Sequence, residues 1–429
     1  MLTIVMLIAK IIMLGLRLTG RTGTALPGLV AERLYPQMMS RMLGSLPEGV
    51  VVVTGTNGKT TTTKIICELF ESQGKRVISN PSGSNFTRGV FSALVRHGSL
   101  SGQLDYDIGV FELDEAYSRL FTKQVNPRTM LVLNIMRDQL DRYGEIDTTA
   151  RHIGEAISHA GGVVLNADDA PVAALSQYLK RGEARYFGVS NELREFLPSD
   201  DELHGKETVE LKQTPPKNLM LSKARMTSGE ERITFVEDDQ QYTAHFPLEG
   251  VHNGLNAVAA VTTVKAVLPK ANTAKLAMAL SRIHPAFGRG EQLVVRDRNL
   301  HIALVKNPGG FNQNLRAFIK EQMRVILILI NDNYADGRDT SWLWDVDFSE
   351  LKAHNAAIIV GGIRAHDMAL RLQYENIDVD AIEPDISKAL DAALSSGNDL
   401  GDVLVFPTYT AMLETRKALE KETSLEGIW

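Results

Sequence analysis

Thr54-Gly55-Thr56-Asn57-Gly58-Lys59-Thr60-Thr61 follows four valines, Val50 to Val53, and leads into a run whose spacing predicts a helix from Lys59 to Phe70. Buried strand, glycine loop, Lys-Thr pair and helix together make a cradle for a nucleoside triphosphate. Loop N–H groups face phosphate oxygens, and the helix N-terminus adds positive potential. The lysine neutralises the outer phosphates, and the Thr60 hydroxyl can hold Mg²⁺. The usual pattern has a glycine where this chain has Val53, so the loop is a compact Gly-x-x-Gly-Lys-Thr variant. Thr56, Asn57, Gly58, Lys59, Thr60 and Thr61 are its expected ligand-facing residues.

Beyond the loop, short apolar runs alternate with amphipathic stretches. Residues 76–79, 108–112, 130–134 and 162–166 read as strands with room for crossover helices between them. That rhythm predicts a mostly parallel sheet covered on both faces. It fails from about 192 to 235, a polar stretch with Pro198, Pro215 and Pro216 that reads as a loop-rich insertion or irregular β region. Residues 242–246 read as a strand and 253–267 as a helix. A second alternating series, with strands expected at 301–305, 325–330, 357–360, 377–382 and 403–406, implies a separate small α/β domain. The boundary is expected near 288–298.

With 429 residues, 44% hydrophobic and 23% charged, the chain has the composition of a soluble globular protein of two or three domains. Its net charge of −6 argues against a nucleic-acid binder. The single cysteine, Cys67, excludes an intrachain disulfide and a four-cysteine zinc site. Residues 1–16 are apolar except Thr3 and Lys10, shorter than the roughly 20 residues that span a bilayer, and lack a basic start or a cleavage site. Two readings stay open there: a helix lying on a membrane surface, or one packed on the next domain. The expected location is the cytoplasm, with the inner face of the cell membrane as the alternative.

Polar groups collect after the expected strands, where open parallel sheets gather their functional groups. Glu112 ends one strand, ahead of Asp114 and Glu115, and could hold Mg²⁺ near the loop. Asn134 to Gly144 and Asn166 to Asp169 follow others. Asn253 and Asn256 either read an adenine edge or, for Asn253, cap the alanine-rich helix. Arg289, in Gly288-Arg289-Gly290, sits where a hinge arginine could reach phosphate on closure. Asn331 to Trp342 packs carboxylates, an arginine and aromatics behind a very apolar strand, which suggests a site.

Taken together these residues resemble the Mur ligase family of ATP-dependent amide-forming enzymes. The matching motifs are Thr54 to Thr60, Glu112, Asn134 with Asp138 to Asp141, His252-Asn253 with Asn256, and Gly288-Arg289. Within that family the chain is similar to the MurT type, through Lys306 to Gly310, Asn331 to Trp342, Gly362 to Met368 and Pro407 to Thr410. The resemblance implies an N-terminal helical segment (1–45), a central P-loop ATP-binding α/β domain with a parallel sheet (46–295, insertion 188–245), and a C-terminal Rossmann-like α/β domain of MurT type (296–429). It also implies amidation of the D-glutamate α-carboxyl of the lipid II stem peptide through an acyl phosphate. ATP would bind the loop together with Asn253, Asn256 and Arg289, and Mg²⁺ would bind Thr60 and Glu112. Ammonia would come from a glutaminase partner of GatD type. Asp339, or as second choice Asp345, would complete that partner's Cys-His pair.

Two departures bear on this. The insertion has no cysteine, so no zinc ribbon is expected. Gln139 stands where stem-peptide ligases commonly have histidine. Only about 45 residues precede the first strand, too few for a UDP-sugar domain, which fits a lipid-linked substrate. A ligase adding an amino acid, as in stem-peptide or folylpolyglutamate synthesis, and a non-catalytic ATP-dependent scaffold are the alternatives.

Overall fold

The computed structural model describes the chain except residues 19–24, 81–85, 137–145, 198–213, 226–230, 285–287, 397–400, 424 and 426–429. Asp138, Gln139 and Asp141 of the expected motif, and much of the 188–245 insertion, therefore lie outside the described residues, as does the Arg289 side chain.

Two sheets organise the molecule. The first has nine strands in the order β2-β3-β1-β4-β5-β6-β7-β8-β9. Val50–Thr54 (β1), Val77–Ser79 (β2), Ile108–Glu112 (β3), Thr129–Val132 (β4), Val163–Asn166 (β5), Ala184–Val189 (β6) and Leu219–Arg225 (β7) are parallel. Arg232–Glu237 (β8) and Gln240–His245 (β9) extend the edge antiparallel. The irregular β region expected from about 192 to 235 thus contains the ordered strands β7 and β8, and β9 lies at the strand expected over 242–246.

β1 is central because both its faces are apolar. Val51 and Val53 point into a core shared with Lys59–Ser72 and the helix Val251–Val267. Val50 and Val52 point into the opposite core with the N-terminal helices. A strand buried on both faces reads as a continuous apolar run, which is why four consecutive valines located it. Burial of each such side chain stabilises by about 1.5–3 kcal/mol.

The second sheet runs β10-β11-β15-β12-β13-β14. Arg289–Val295 (β10) pairs antiparallel with Arg298–Ala303 (β11). Met323–Leu329 (β12), Ala357–Gly361 (β13), Ala381–Glu383 (β14) and Asp402–Pro407 (β15) are parallel. β10 therefore belongs to the second sheet, whereas a boundary at 295/296 assigned it to the first unit. The cause is the turn at Arg296 and Asp297, both with positive φ, which folds β10 back on β11. We place the division ahead of Arg289. β14 also begins later than the expected 377, because the Asp380 carboxylate accepts from Ile358 N (2.7 Å) and terminates the approach to the sheet.

The N-terminal segment forms three helices, Leu2–Leu18 (α1), Ala25–Leu34 (α2) and Met38–Leu43 (α3). Leu2, Val5, Met6 and Ala9 of α1 are buried against the first domain. Packing on the domain, one of the two open readings, therefore holds for one face of the helix. No helix among the described residues is long and apolar enough to cross a membrane.

Candidate active site

The carboxyl end of β1 lies where the strand order reverses, with β3 on one side and β4 on the other, the place where open α/β sheets bind ligands. Here the loop Gly55–Gly58 leads into Lys59–Ser72 (the fourth helix, α4). Gly55 has φ 129° and Gly58 φ 85°. A Cβ on Gly55 would lie 2.9 Å from Asn134 O, and one on Gly58 would lie 2.7 Å from Asn256 Oδ1. Both glycines are required by conformation and by space. Alanine at Gly58 is expected to weaken nucleotide binding at least about fivefold, since left-handed strain and the amide collision together cost about 1–3 kcal/mol. A fluorescent-nucleotide titration measures it, and affinity within twofold of the parent would refute the cradle reading.

The loop is braced from behind by Asn134. Its Oδ1 accepts from Asn57 N (2.8 Å) and its Nδ2 donates to Asn57 O (3.1 Å). Thr56 N donates to Asn134 O (3.0 Å), and Met136 N donates to Thr56 Oγ1 (3.0 Å). Asn134 acts as scaffold for the cradle, a role its place in a polar loop could not announce.

Lys59 is buried, and its ammonium is folded over its own loop. It donates to Gly55 O (2.5 Å) and Thr56 O (3.3 Å), and stands 3.7 Å from Glu115 Oε2. Glu115 opens the helix Glu115–Thr122, whose N-cap Asp114 accepts from Ala116 N (3.2 Å). Burial works to raise the Glu115 carboxyl. The cations Lys59 and Lys306, its own backbone N–H and Thr56 outweigh that and hold it below the ordinary range. Lys306, from the second domain, thus brings a further positive charge to the cradle. Sequence reading placed it only within a resemblance motif.

Thr60 and Glu112 line the same cavity, about 330 Å³ in volume, between the two sheets. The buried Thr60 hydroxyl has no hydrogen-bond partner. Glu112 is buried, and its backbone is pinned by Asn80, whose Nδ2 donates to Glu112 O and whose Oδ1 accepts from Glu112 N, both at 2.9 Å. An orphaned hydroxyl beside a fixed carboxylate fits a magnesium ion, which takes one or two protein ligands and completes its shell with phosphate and water. Among the described residues no cluster of three or more His, Cys, Asp or Glu is poised on a metal, and this donor set does not call for one.

The helix Val251–Val267 begins at Gly250, so Asn253 is not its cap. Asn253 Nδ2 donates to Glu249 O (2.6 Å) and Asn256 Nδ2 to Asn253 Oδ1 (3.3 Å). Both line the cavity, with Asn256 against the glycine loop. His252 shares the wall, and burial pushes it down to about 4, so it stays neutral near pH 7.

The opposite wall is the second domain, through Lys306, Tyr334, Asp336 and Tyr409. Asn307 caps the helix Pro308–Phe318 by accepting from Gly310 N (2.8 Å). Its amide also makes a reciprocal pair with Asn57: Asn57 Nδ2 to Asn307 Oδ1 (3.2 Å) and Asn307 Nδ2 to Asn57 Oδ1 (3.0 Å). Lys320 and Glu249 add an ion pair across the same division (2.6 Å). The phosphate loop is therefore tied directly to the C-terminal domain.

Asp336 is buried and accepts from Thr410 N (2.7 Å), Thr410 Oγ1 (2.5 Å) and Asn333 N (3.1 Å); burial is the main influence and raises its carboxyl. Three residues on, Asp339 is exposed on the outer surface. It accepts from Ser341 N (2.8 Å), and bonding to Ser341, through side chain and backbone, holds its carboxyl below the usual range. Asp345 is exposed at the end of the turn Ser341–Asp345. Arg371 braces that turn, donating to Leu343 O (3.1 Å) and Val346 O (2.9 Å). One loop thus runs from the cavity wall to two surface carboxylates.

Residues 53–264 match the Mur ligase middle domain, and residues 304–412 match the MurT ligase C-terminal domain. The chain is 31% identical, over 98% of both chains, to the lipid II isoglutaminyl synthase (glutamine-hydrolyzing) subunit MurT of Staphylococcus aureus. It is 28% identical to the subunit of the same name from Streptococcus pneumoniae, over 92% of both. Among solved structures it resembles the MurF ligase of Thermotoga maritima in complex with ADP, at TM-score 0.66 and 19% identity, covering 91% of this chain and 84% of that one.

Proposed function

Because this chain belongs to the Mur ligase family, in its MurT branch, we infer that it is the ligase subunit of a glutamine-hydrolysing lipid II isoglutaminyl synthase, an ATP-dependent carbon–nitrogen ligase of peptidoglycan synthesis. It amidates the D-glutamate α-carboxyl of the lipid II stem peptide to D-isoglutamine. The observation that carries this reading is a phosphate cradle that faces a MurT-type domain across one cavity.

A carboxylate is a poor electrophile. Attack of its oxygen on the γ-phosphorus of ATP releases ADP and leaves an acyl phosphate. Ammonia then adds to the acyl carbon, phosphate leaves with the C–O bond electrons, and the nitrogen sheds one proton. Lys59, freed from Gly55 O and Thr56 O, neutralises the charge on the transferring phosphoryl group. Glu115 orients that lysine until nucleotide arrives. Lys306 adds positive charge from the far wall. Thr60 and Glu112 would hold Mg²⁺, which supplies charge neutralisation at the phosphates. We assign Asn253 and Asn256 to the base end of the nucleotide, with Asn256 also supporting Gly58, and Arg289 to closure over phosphate.

Ammonia at neutral pH is mostly ammonium, so a dedicated source is needed, and the single cysteine of this chain does not provide one. Cys67 is buried behind the cradle, and burial pushes its thiol up to about 12. A separate glutaminase of GatD type supplies it, and Asp339 completes that partner's Cys-His pair.

Mass spectrometry of lipid II, incubated with this chain, ATP and Mg²⁺ plus either ammonium or glutamine with the partner, tests the reading. Exchange of OH for NH₂ gives a product about 1 Da lighter, a loss fixed by stoichiometry and by the absence of any added residue. A product heavier by an amino-acid residue would identify an amino-acid-adding ligase instead.

The Asn57–Asn307 pair predicts a measurable coupling. Serine at Asn307 retains the helix cap but cannot form the reciprocal pair. The expected result is a melting temperature lowered by about 2–4 °C and KM for ATP raised about fivefold, each the worth of roughly 1 kcal/mol of hydrogen bonding. An unchanged KM would show that the pair plays no part in nucleotide capture.

A further inference from the structure

We propose that the outer face of α1 is a docking surface for an anionic lipid bilayer, an inference that rests on the lipid-linked substrate just assigned. Along this helix Ile4 (63% exposed), Leu7 (48%), Ile11 (59%) and Leu14 (58%) recur at steps of three and four residues, forming one outward stripe, with Met1 and Ile8 exposed at its margin. The opposite face, Leu2, Val5, Met6 and Ala9, is buried in the domain. The helix is therefore apolar on both sides, and only one side is explained by the fold. Leu26 and Leu34 of the neighbouring α2 are exposed as well.

Monomeric proteins rarely leave a contiguous aliphatic stripe in water, and such a stripe marks an interaction surface. Three observations choose a bilayer as the occupant. Lys10 lies along one flank of the stripe, and the sequence up to Glu32 adds Arg17 and Arg21 and no acidic residue. That is the charge an anionic headgroup layer attracts. The stripe residues carry no charge, and the exposed Thr3 beside them lies at the helix start, so no charged group sets the register of a helix partner. At 17 residues the helix is too short to span, so it would lie in the interface plane, its inner face still fixed to the domain. The arrangement differs from a free amphipathic helix, because the protein itself takes the place of the polar face.

The placement also serves the chemistry. α1 packs at its start on Gly98 and Gly102, which follow the helix Thr87–His97 (α5), and the residue before α5, Phe86, lines the nucleotide cavity. A membrane contact on α1 is thus joined through one helix to the site that must receive a lipid-anchored carboxylate.

The test uses the full chain with vesicles of phosphatidylglycerol or of phosphatidylcholine, in parallel with analytical ultracentrifugation. The wild-type protein is expected to co-sediment with phosphatidylglycerol vesicles. The double variant Ile4→Glu/Ile11→Glu should bind them at least about tenfold more weakly, since binding scales with apolar area and like charge repels. Leu7→Ser/Leu14→Ser, which shrinks the stripe without adding charge, should show the same direction. Both variants alter exposed positions and should keep the parental melting temperature. Both should also amidate a short-chain, water-soluble lipid II analogue at the wild-type rate with ammonium. Wild-type protein that stays in the supernatant with phosphatidylglycerol vesicles, or variants that sediment equally well, would overturn the proposal. So would a wild-type dimer that the charged variant dissolves without any vesicle binding, which would give the stripe to a second copy. Loss of turnover on the soluble analogue in the wild type would instead strike the amidation reading, leaving vesicle binding as a separate result.

Discussion

Alanine at Lys59 is expected to abolish amidation with ammonium and with glutamine alike, a loss of at least about a thousandfold in kcat, the scale of removing a charge aimed at a transition-state oxyanion. Both routes share the phosphorylation of the substrate carboxylate, so no nitrogen source can bypass it. The lysine also has a structural partner, and that must be separated from its chemical role. Glu115 is buried, and Lys59 and Lys306 keep it ionised. Removing one cation leaves that carboxylate less compensated, which destabilises the fold. The double variant Lys59→Met/Glu115→Gln removes both charges while keeping their volume. It should recover most of the melting temperature lost by Lys59→Ala yet remain inactive. Turnover in either variant above about a tenth of wild type would remove the lysine from phosphoryl transfer, because a group worth only tenfold contributes little over 1 kcal/mol. ADP release without lipid II would be an uninformative surrogate, so the amide product is the readout.

How much of this was legible from the residues depends on range. The cradle was, because its strand, glycines, lysine and helix all lie between Val50 and Ser72 and each obeys a local rule. β1 to β5 were, because strands buried on both faces are continuous apolar runs. β6 and β7 were not. Ala184–Val189 mixes Arg185 and Tyr186 with apolar residues because its first half is only partly buried, so the run is broken. β10 was missed for a different reason: its Arg-Gly-Glu-Gln start reads as a linker, and it becomes a strand only through pairing with β11.

The site followed the same rule. The motifs mark Thr56 to Thr61, Glu112, Asn253 and Asn256, and these line one cavity. In sequence Glu115 is only a neighbour of Glu112, although it is the carboxylate that meets Lys59. Asn307 could not have been matched to Asn57, since 250 residues separate two amides whose pairing exists only once both domains are folded. Asn134 was visible as a polar residue at a strand end. Its function, holding the Asn57 peptide through both amide atoms, depends on β1 and β4 being adjacent.

Asparagine at Asp339 is expected to abolish glutamine-driven amidation, by up to about ten-thousandfold, while ammonium-driven amidation stays within twofold. The size follows from the cost of replacing the aspartate that orients a catalytic histidine. The split follows from location. Asp339 is on the outer surface, three residues beyond the cavity-lining Asp336, so its loss does not reach the cradle. Asparagine keeps the side-chain oxygen that accepts from Ser341 N, so the turn is retained and only the charge is lost. That charge is firmly held, since bonding to Ser341 keeps the carboxyl below its usual range and ionised at every pH at which a histidine partner titrates. The neighbouring turn is rigid for a physical reason. Arg371 is buried, donates to Leu343 O and Val346 O, and lies 5.4 Å from the Trp344 ring and 5.2 Å from the Phe348 ring. Asp345 sits on the braced turn itself and is the control: Asp345→Asn should leave both activities within twofold. Should Asp345→Asn lose the glutamine route while Asp339→Asn keeps it, the histidine's partner is Asp345. Equal loss of the ammonium and glutamine routes in Asp339→Asn would mean that this loop serves the ligase cavity, and the proposed division of labour between the two subunits would fail.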